Sequence, residues 1–263
     1  MLISGFSALF ASLLYLYASS LIWRKIQSHA SVDVRVQVIQ LAVIATVLHA
    51  YALSATLWTD YGINFQIGNV LSFIAVLGSA ILLITNINKN TETLGIFIYP
   101  LAALTTLIPL AIHSENPLSF EIGSHVLISV SAYSIMGIAT AQAVLYAIQE
   151  RRFRTKQLSR LMQALPPLQV MENTLIQLVL IGFIFLSFAL LSGIFFIEDI
   201  FAQHLIHKTF FAILSWLVYA TFLFGHFKYG WRGQTAARYT IWAYFLLILS
   251  YVGTQIVIRL LGF

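Results

Sequence analysis

Eight stretches of this chain are apolar over a length that can cross a membrane, and no other feature limits the fold as much. A helix rises about 1.5 Å per residue, so about 20 mainly apolar residues cross a hydrocarbon layer about 30 Å thick. The stretches lie near residues 2–23, 36–57, 65–85, 93–112, 125–147, 174–197, 208–225 and 239–261. Lipid offers no partner to a backbone N–H or C=O, so a spanning segment is a helix or part of a closed barrel. These runs are too long and too uniformly apolar for strands that alternate between lipid and lumen. The expectation is an all-α, polytopic membrane bundle of eight transmembrane helices, built as one integral membrane domain over 1–263. Composition agrees: 60% of the 263 residues are hydrophobic and 9% charged, against about 25% charged in soluble domains.

Loop charges set an orientation. Arg24, Lys25 and Arg35 follow the first segment and Lys89 the third. Arg151, Arg152, Arg154, Lys156 and Arg160 follow the fifth, and Lys228, Arg232 and Arg238 the seventh. Twelve of the fourteen basic residues thus fall on one side, leaving Lys208 and Arg259 for the other. Positive loops stay cytoplasmic, so both termini are expected outside. The net charge of +5 is accounted for by this rule and needs no nucleic acid. Charges follow rather than precede the first apolar run and no small-residue cleavage site stands out, so residues 1–23 read as a retained helix.

Trp23, Trp58, Trp231 and Trp242 lie at or near predicted helix ends, where the interfacial aromatic belt accounts for them; Trp216 lies well inside a segment. The one sizeable stretch outside the apolar runs is 149–173, read as a basic cytoplasmic loop. It opens with Glu150–Arg154, and Leu158, Leu161, Met162 and Leu165 follow at spacings of three and four before Pro166–Pro167. That pattern describes an amphipathic helix lying on the inner headgroups, or a docking site for a membrane or cytoplasmic partner.

The chain has no cysteine, which removes disulfides, thiolate metal sites and iron–sulfur clusters and leaves histidines and carboxylates as ligands or bases. Four of the seven histidines gather on the outer surface: His113 and His125 flank one short loop, and His204 and His207 precede the seventh segment with Lys208 beside them. His49 differs. It lies about 12 Å below the outer end of the second segment, at hydrocarbon depth, where an ionisable group must face the bundle interior and find a partner. It reads either as a functional group or as a neutral imidazole bonded to a group such as Gln40, Gln66, Gln142 or Tyr133. His226 closes the seventh segment and His29 lies in the first cytoplasmic loop. Neutral imidazole suits haem iron or a transition metal better than magnesium, which prefers carboxylates and water; no HExxH or comparable pattern occurs.

The last third contains Ser215–Trp216–Leu217–Val218–Tyr219, then Gly225–His226–Phe227–Lys228–Tyr229–Gly230–Trp231–Arg232–Gly233, then a final apolar helix. With His125 opening the fifth segment and Leu165–Pro166–Pro167–Leu168 through Met171–Glu172 before the sixth, this resembles the cytochrome c assembly family. Those are CcsA- and CcmC-type membrane proteins that bind haem and present it outside the membrane, and the closest likeness is the short HemX/YpjD-like branch. The resemblance implies haem as cofactor. It matches His125 to an external histidine, His226 to a histidine ending the penultimate helix, and His49 to an early transmembrane one. The full-length haem handlers carry a tryptophan-rich motif with an Asp before the seventh helix; this chain has Glu198 to Lys208 there, without tryptophan. Near the end of the last helix, where the family places a second external histidine, it has Val257–Ile258–Arg259–Leu260–Leu261.

The leading expectation is a haem-binding or haem-handling inner-membrane accessory protein, non-catalytic by itself. His125 and His207 would be its outer ligands, His49 a deeper one, and Lys208 a partner for a propionate. The alternative is a membrane regulator or partner of another membrane system that has lost cofactor binding and works through 149–173. A transporter should show polar residues lining a path and breaks within its helices. With Pro100 the only proline internal to a span and Pro109 near an outer end, transport is the reading the sequence supports least.

Overall fold

The computed structural model describes residues 2–27, 34–112, 117–156, 159–196 and 203–261. Among them run ten α-helices: α1 Leu2–Gln27, α2 Arg35–Leu57, α3 Ile67–Asn88, α4 Gly95–Thr105, α5 Ile108–Ala111, α6 Phe120–Arg154, α7 Arg160–Ala164, α8 Leu168–Phe196, α9 Gln203–Tyr229 and α10 Gln234–Leu261. Seven helical stretches among the described residues are long and apolar enough to cross a membrane: 3–27, 35–57, 67–87, 92–111, 120–154, 168–195 and 209–229. The protein is an all-helical, multi-pass membrane protein. The chain divides into two compact units, Met1–Gly123 with Lys156–Pro167, and Ser124–Thr155 with Leu168–Phe263.

In the first unit, α1 and α2 meet through small side chains. Ala8, Ala11, Tyr15, Ala18 and Ile22 of α1 and Val38, Ala42, Ala45 and His49 of α2 are fully buried, at helical spacings of three, four and seven. Lipid tails give helices no hydrophobic reason to associate, so close backbone approach along such a face is the main source of packing attraction. The large apolar residues point the other way, with Leu9, Leu13 and Leu16 of α1 and Val43, Ile44 and Val47 of α2 exposed.

Two features depart from uninterrupted spans. The expected fourth segment is a 3-10 turn, Glu92–Leu94, followed by α4 and then the short α5. Pro109 explains the break, since a proline ring clashes with the carbonyl four residues back, here Thr105, the last residue of α4. Between α2 and α3 lies a small hairpin, β1 Trp58–Thr59 paired antiparallel with β2 Gly62–Ile63. Ile63 also exchanges backbone hydrogen bonds with Leu118, 3.0 and 2.9 Å.

Helix α6 has 35 residues and so extends about 52 Å, well beyond a hydrocarbon layer of about 30 Å. Its last turns contain residues read from the sequence as loop. Arg154 Nη2 lies 2.9 Å from Glu150 Oε1 one turn earlier, and Arg151, Arg152 and Arg154 occupy the final turn, where cations favour the helix dipole. The amphipathic piece that follows is shorter than its spacing implied. It is α7, five residues capped by Ser159, whose side chain accepts from the Met162 N–H; Leu158 lies outside the described residues. After Pro166–Pro167 the chain is already helical at Leu168, so the connection between the long helices is only about half the expected stretch.

In the second unit, side-chain hydrogen bonds tie helix to helix. Ser215 Oγ donates to Ala243 O at 2.7 Å, Trp216 Nε1 to Ser187 Oγ at 2.8 Å, and Gln142 Nε2 to Met171 O at 3.3 Å. Trp216 also stacks on Phe183, with ring centroids 5.2 Å apart. The α9–α10 turn is built by the Gly-Trp-Arg-Gly element. Gly230 and Gly233 sit at φ +70° and +60°, left-handed geometry that glycine adopts without cost. Trp231 folds back over Gly225 so closely that a Cβ there would clash with the indole.

Candidate functional site

The histidines settle into separate environments. His49, on the inward face of α2, is completely buried. Its Nε2 is 2.8 Å from Ser72 Oγ of α3, and the edge of its ring meets Tyr15 of α1 with centroids 5.9 Å apart. Tyr15 stacks on Tyr99 of α4 at 5.7 Å and donates to Thr46 Oγ1 at 3.1 Å. Among the described residues His49 Nδ1 has no hydrogen-bond partner. The partner found is thus a serine, not one of the glutamines or the tyrosine considered from the sequence. The signal was present in α3, where Ser72, Ser79 and Asn86 recur every seven residues.

One end of the first unit holds a buried carboxylate. The Glu92 side chain is only 7% exposed; Lys25 Nζ lies 3.0 Å from its Oε1 and Arg35 Nε 4.0 Å from its Oε2. Arg35 also donates to the Asn86 carbonyl at 2.9 Å, and Asn86 Oδ1 accepts from Thr91 N and Oγ1 at 3.0 and 2.7 Å. Burial pushes the nearby Lys89 ammonium below the usual lysine range, because a charge loses hydration there. Glu92 escaped sequence reading, since a lone carboxylate at a helix start looks like an ordinary dipole partner.

In the second unit His125 occupies the second turn of α6. Its Nδ1 is 2.9 Å from Ser192 Oγ on α8, and Ser192 Oγ donates its own proton to Ala189 O at 3.1 Å. The serine oxygen therefore accepts from His125, which places the imidazole proton on Nδ1 and the lone pair of the neutral ring on Nε2. The residue after Ser192 is glycine, and a Cβ on Gly193 would stand 3.4 Å from His125 Cε1.

His226 Nδ1 is 2.8 Å from the Trp231 carbonyl; a carbonyl only accepts, so this proton too sits on Nδ1. His226 lies 19 positions after His207 along the continuous helix α9, about 28 Å at 1.5 Å per residue. The Trp216–Ser187 bond fixes an antiparallel register between α8 and α9, in which the level of Ser192 corresponds to Phe211. The turn of α9 that carries His207 then lies about 6 Å further toward that same end. His125 and the start of α9 share one end of the second unit, and His226 stands at the other. His204, His207 and Lys208 lie in the first turns of α9; their side chains, like His29 and His113, are outside the described residues. Among the described residues no three histidines or carboxylates gather as a metal site.

The chain matches a family model described as "Cytochrome C assembly protein" over residues 6–261. It is 29% identical over 227 residues to the "Inner membrane protein YpjD" of Escherichia coli K12, covering 84% of this chain and 86% of the relative. An "Uncharacterized 28.8 kDa protein in nifR3-like 5'region" of Azospirillum brasilense is 32% identical over 137 residues, 51% of this chain and 50% of that protein. A "Cytochrome c biogenesis protein CcsA" of Prochlorococcus marinus is 28% identical over 87 residues, 32% of this chain and 28% of that one. No solved structure matches the chain.

Proposed function

The chain belongs to the cytochrome c assembly protein family, and on that premise we propose that it is a bacterial inner-membrane accessory protein that handles haem at its outer rim without itself catalysing haem attachment. The observation that carries the proposal is the relay from His125 through the Ser192 hydroxyl to the Ala189 carbonyl. Metal-binding histidines characteristically donate their second ring N–H to a fixed oxygen, which holds the tautomer and ring orientation. His125 has that arrangement, so its ring would be held in the orientation and tautomer that suit binding of haem iron.

His207 is the second imidazole of this rim, and Lys208 meets a propionate as a point cation. Haem, when bound, would supply an iron and two carboxylates for these residues to hold. The chain's own residues bind and orient it. His49 serves as a deeper imidazole, with Nδ1 unpartnered inside the first unit. His226, about 28 Å along α9 from His207, serves a separate position at the other end of the second unit.

In this reading the protein is one integral membrane domain with eight spans. Helix α10, 28 residues long, is the eighth, and an even number of crossings leaves both termini on the periplasmic side opposite the basic loops. An absorption spectrum of detergent-purified protein tests the function, repeated for His49→Ala, His125→Ala and His207→Ala. A Soret band in the parent protein that weakens or shifts in the His125 and His207 variants supports the proposal. No band after growth with ample haem and after adding haem back overturns it.

A second reading has support from the end of α6. Arg151, Arg152 and Phe153 are exposed there on a helix that continues past the apolar span, which suits docking of a cytoplasmic or membrane partner through 149–173. A regulator of that kind tolerates alanine at His125 and His207 but loses function when Arg151 and Arg152 are replaced.

A further inference from the structure

Basic side chains from three separate helix ends meet at one end of the first unit. Arg24 and Lys25 lie in the last turn of α1, Arg35 is the first residue of α2, and Lys89 caps the end of α3. These helices have 26, 23 and 22 residues. They therefore extend about 33–39 Å, so their ends stand just beyond a hydrocarbon layer of about 30 Å, at the level of lipid phosphates. Among the described residues Glu92 is the one carboxylate at this end. Asp33 lies outside them, and with it included, residues 24–35 and 89–92 hold four basic side chains against two acidic ones.

Protein groups hold two of these cations in place. Lys25 Nζ lies 3.0 Å from Glu92 Oε1. Arg35 donates from Nη2 to Asn86 O at 2.9 Å, and its Nε stands 4.0 Å from Glu92 Oε2. Their side chains remain 33% and 30% exposed, so the same charges also face outward at headgroup level. Asn86 is only 2% exposed. Its Oδ1 accepts from Thr91 N and Oγ1, and a backbone N–H can only donate, which fixes the orientation of the side-chain amide. Nδ2 is then a buried donor with no acceptor among the described residues. A donor lacking an acceptor beside a surplus of positive charge fits an anion, whereas a cation would add repulsion. Lys89, whose ammonium burial holds below the usual lysine range, gains from such a neighbour because an opposite charge favours its charged form.

We propose that this end of the first unit binds the phosphate of an anionic phospholipid, with Lys25, Arg35 and Lys89 around it and Arg24 at its edge. Lipid is the source because the cations stand where the headgroup layer already concentrates phosphates, and basic pockets between helices at a membrane face recur as lipid sites. A guanidinium meets phosphate oxygens through planar, paired donors, and ammonium groups meet them as point charges. An ordered water carries the hydrogen bond from buried Asn86 Nδ2 outward to the phosphate, since water bridges groups too far apart for a direct bond. The headgroup offsets the surplus charge and joins the ends of α1, α2 and α3. The inference depends neither on haem nor on which way the loops face.

The test is native mass spectrometry of the full chain in mild detergent, titrated separately with phosphatidylglycerol, phosphatidylethanolamine and inorganic phosphate, with thermal unfolding of the same samples. The expected result is one phosphatidylglycerol retained at concentrations where phosphatidylethanolamine is not, and a higher unfolding temperature with it. A cation near the membrane surface is worth about five-fold in affinity for anionic lipid. Lys89→Gln should therefore weaken retention about five-fold, and Arg35→Gln combined with Lys89→Gln about 25-fold. Lys89→Gln alters a single side chain at a helix end, and an unfolding temperature equal to the parent's without lipid confirms its fold. Arg232→Gln with Arg238→Gln removes two exposed charges from the second unit and should leave retention unchanged. Phosphatidylglycerol held no better than phosphatidylethanolamine overturns the proposal, as does an equal loss in the Arg232 and Arg238 double variant. Stabilisation by inorganic phosphate as large as that by phosphatidylglycerol overturns lipid as the occupant.

Discussion

His125 Nδ1 and Ser192 Oγ lie 2.9 Å apart, joining the start of α6 to the end of α8. Because the Ser192 proton is already directed at Ala189 O, this contact has one direction, and it sets which ring nitrogen of His125 carries the proton. Ser192 is thus a positioning residue for His125. Replacing it with alanine should weaken haem binding about 10–100-fold, the usual effect of losing such an outer partner, with the fold intact. Haem titration followed by absorbance reads this, and Ser192→Thr, which retains a hydroxyl, should recover most of the affinity.

The turn between α9 and α10 should be sensitive to one methyl group. In Gly225→Ala the new Cβ meets the Trp231 indole, and overpacking of that kind costs about 1–3 kcal/mol. The same change made together with Trp231→Ala should cost clearly less, because the two residues share one contact and their effects do not add. Thermal unfolding in detergent of the two single variants and the double variant measures the coupling.

Trp216→Phe tests how much a hydrogen bond between helices is worth in this bundle. The indole N–H bonds Ser187 Oγ at 2.8 Å, and phenylalanine keeps an aromatic ring against Phe183. Such bonds average about 0.6 kcal/mol in membrane bundles, so a small loss of stability is expected. A loss several times larger would mean that packing around the indole, rather than the bond, holds α8 to α9.

At the other unit's charged end, Lys25→Ala should destabilise the protein more than removal of a surface charge. It leaves Glu92 buried with Arg35 at 4.0 Å as its nearest cation. Breaking a fully buried pair costs about 3–5 kcal/mol. Lys25 is one third exposed, and solvent screening lowers the expectation to about 1–3 kcal/mol. Glu92→Gln in the Lys25→Ala background should restore part of the loss, which unfolding in a denaturing detergent series would show.

Topology has a direct measurement because the chain has no cysteine. Tyr61→Cys, in the exposed tip of the small hairpin, should react with an impermeant thiol reagent added to intact cells. Phe153→Cys, at the exposed end of α6, should react only after the membrane is opened. Reaction of both from outside would reverse the proposed orientation of the loops.

The sequence by itself determined the membrane, the helices and their approximate places. Lipid cannot satisfy a backbone polar group, so an apolar run of sufficient length has few folds available. Local signals also carried the turn after α9, where Gly230 and Gly233 occur at positions that need left-handed geometry. The Pro109 break was half visible, as a proline near a helix end, while its effect on the Thr105 carbonyl depended on how far the helix would otherwise run. Helix α6 runs on to Arg154, because charge marks the limit of the hydrocarbon layer and a helix need not stop there. Only tertiary structure decided the partners of the histidines. Ser72 meets His49 across 23 residues and Ser192 meets His125 across 67, and a serine on an apolar helix gives no sign of which neighbour will accept or donate. Helical periodicity places a residue on a face, whereas packing alone chooses what that face touches.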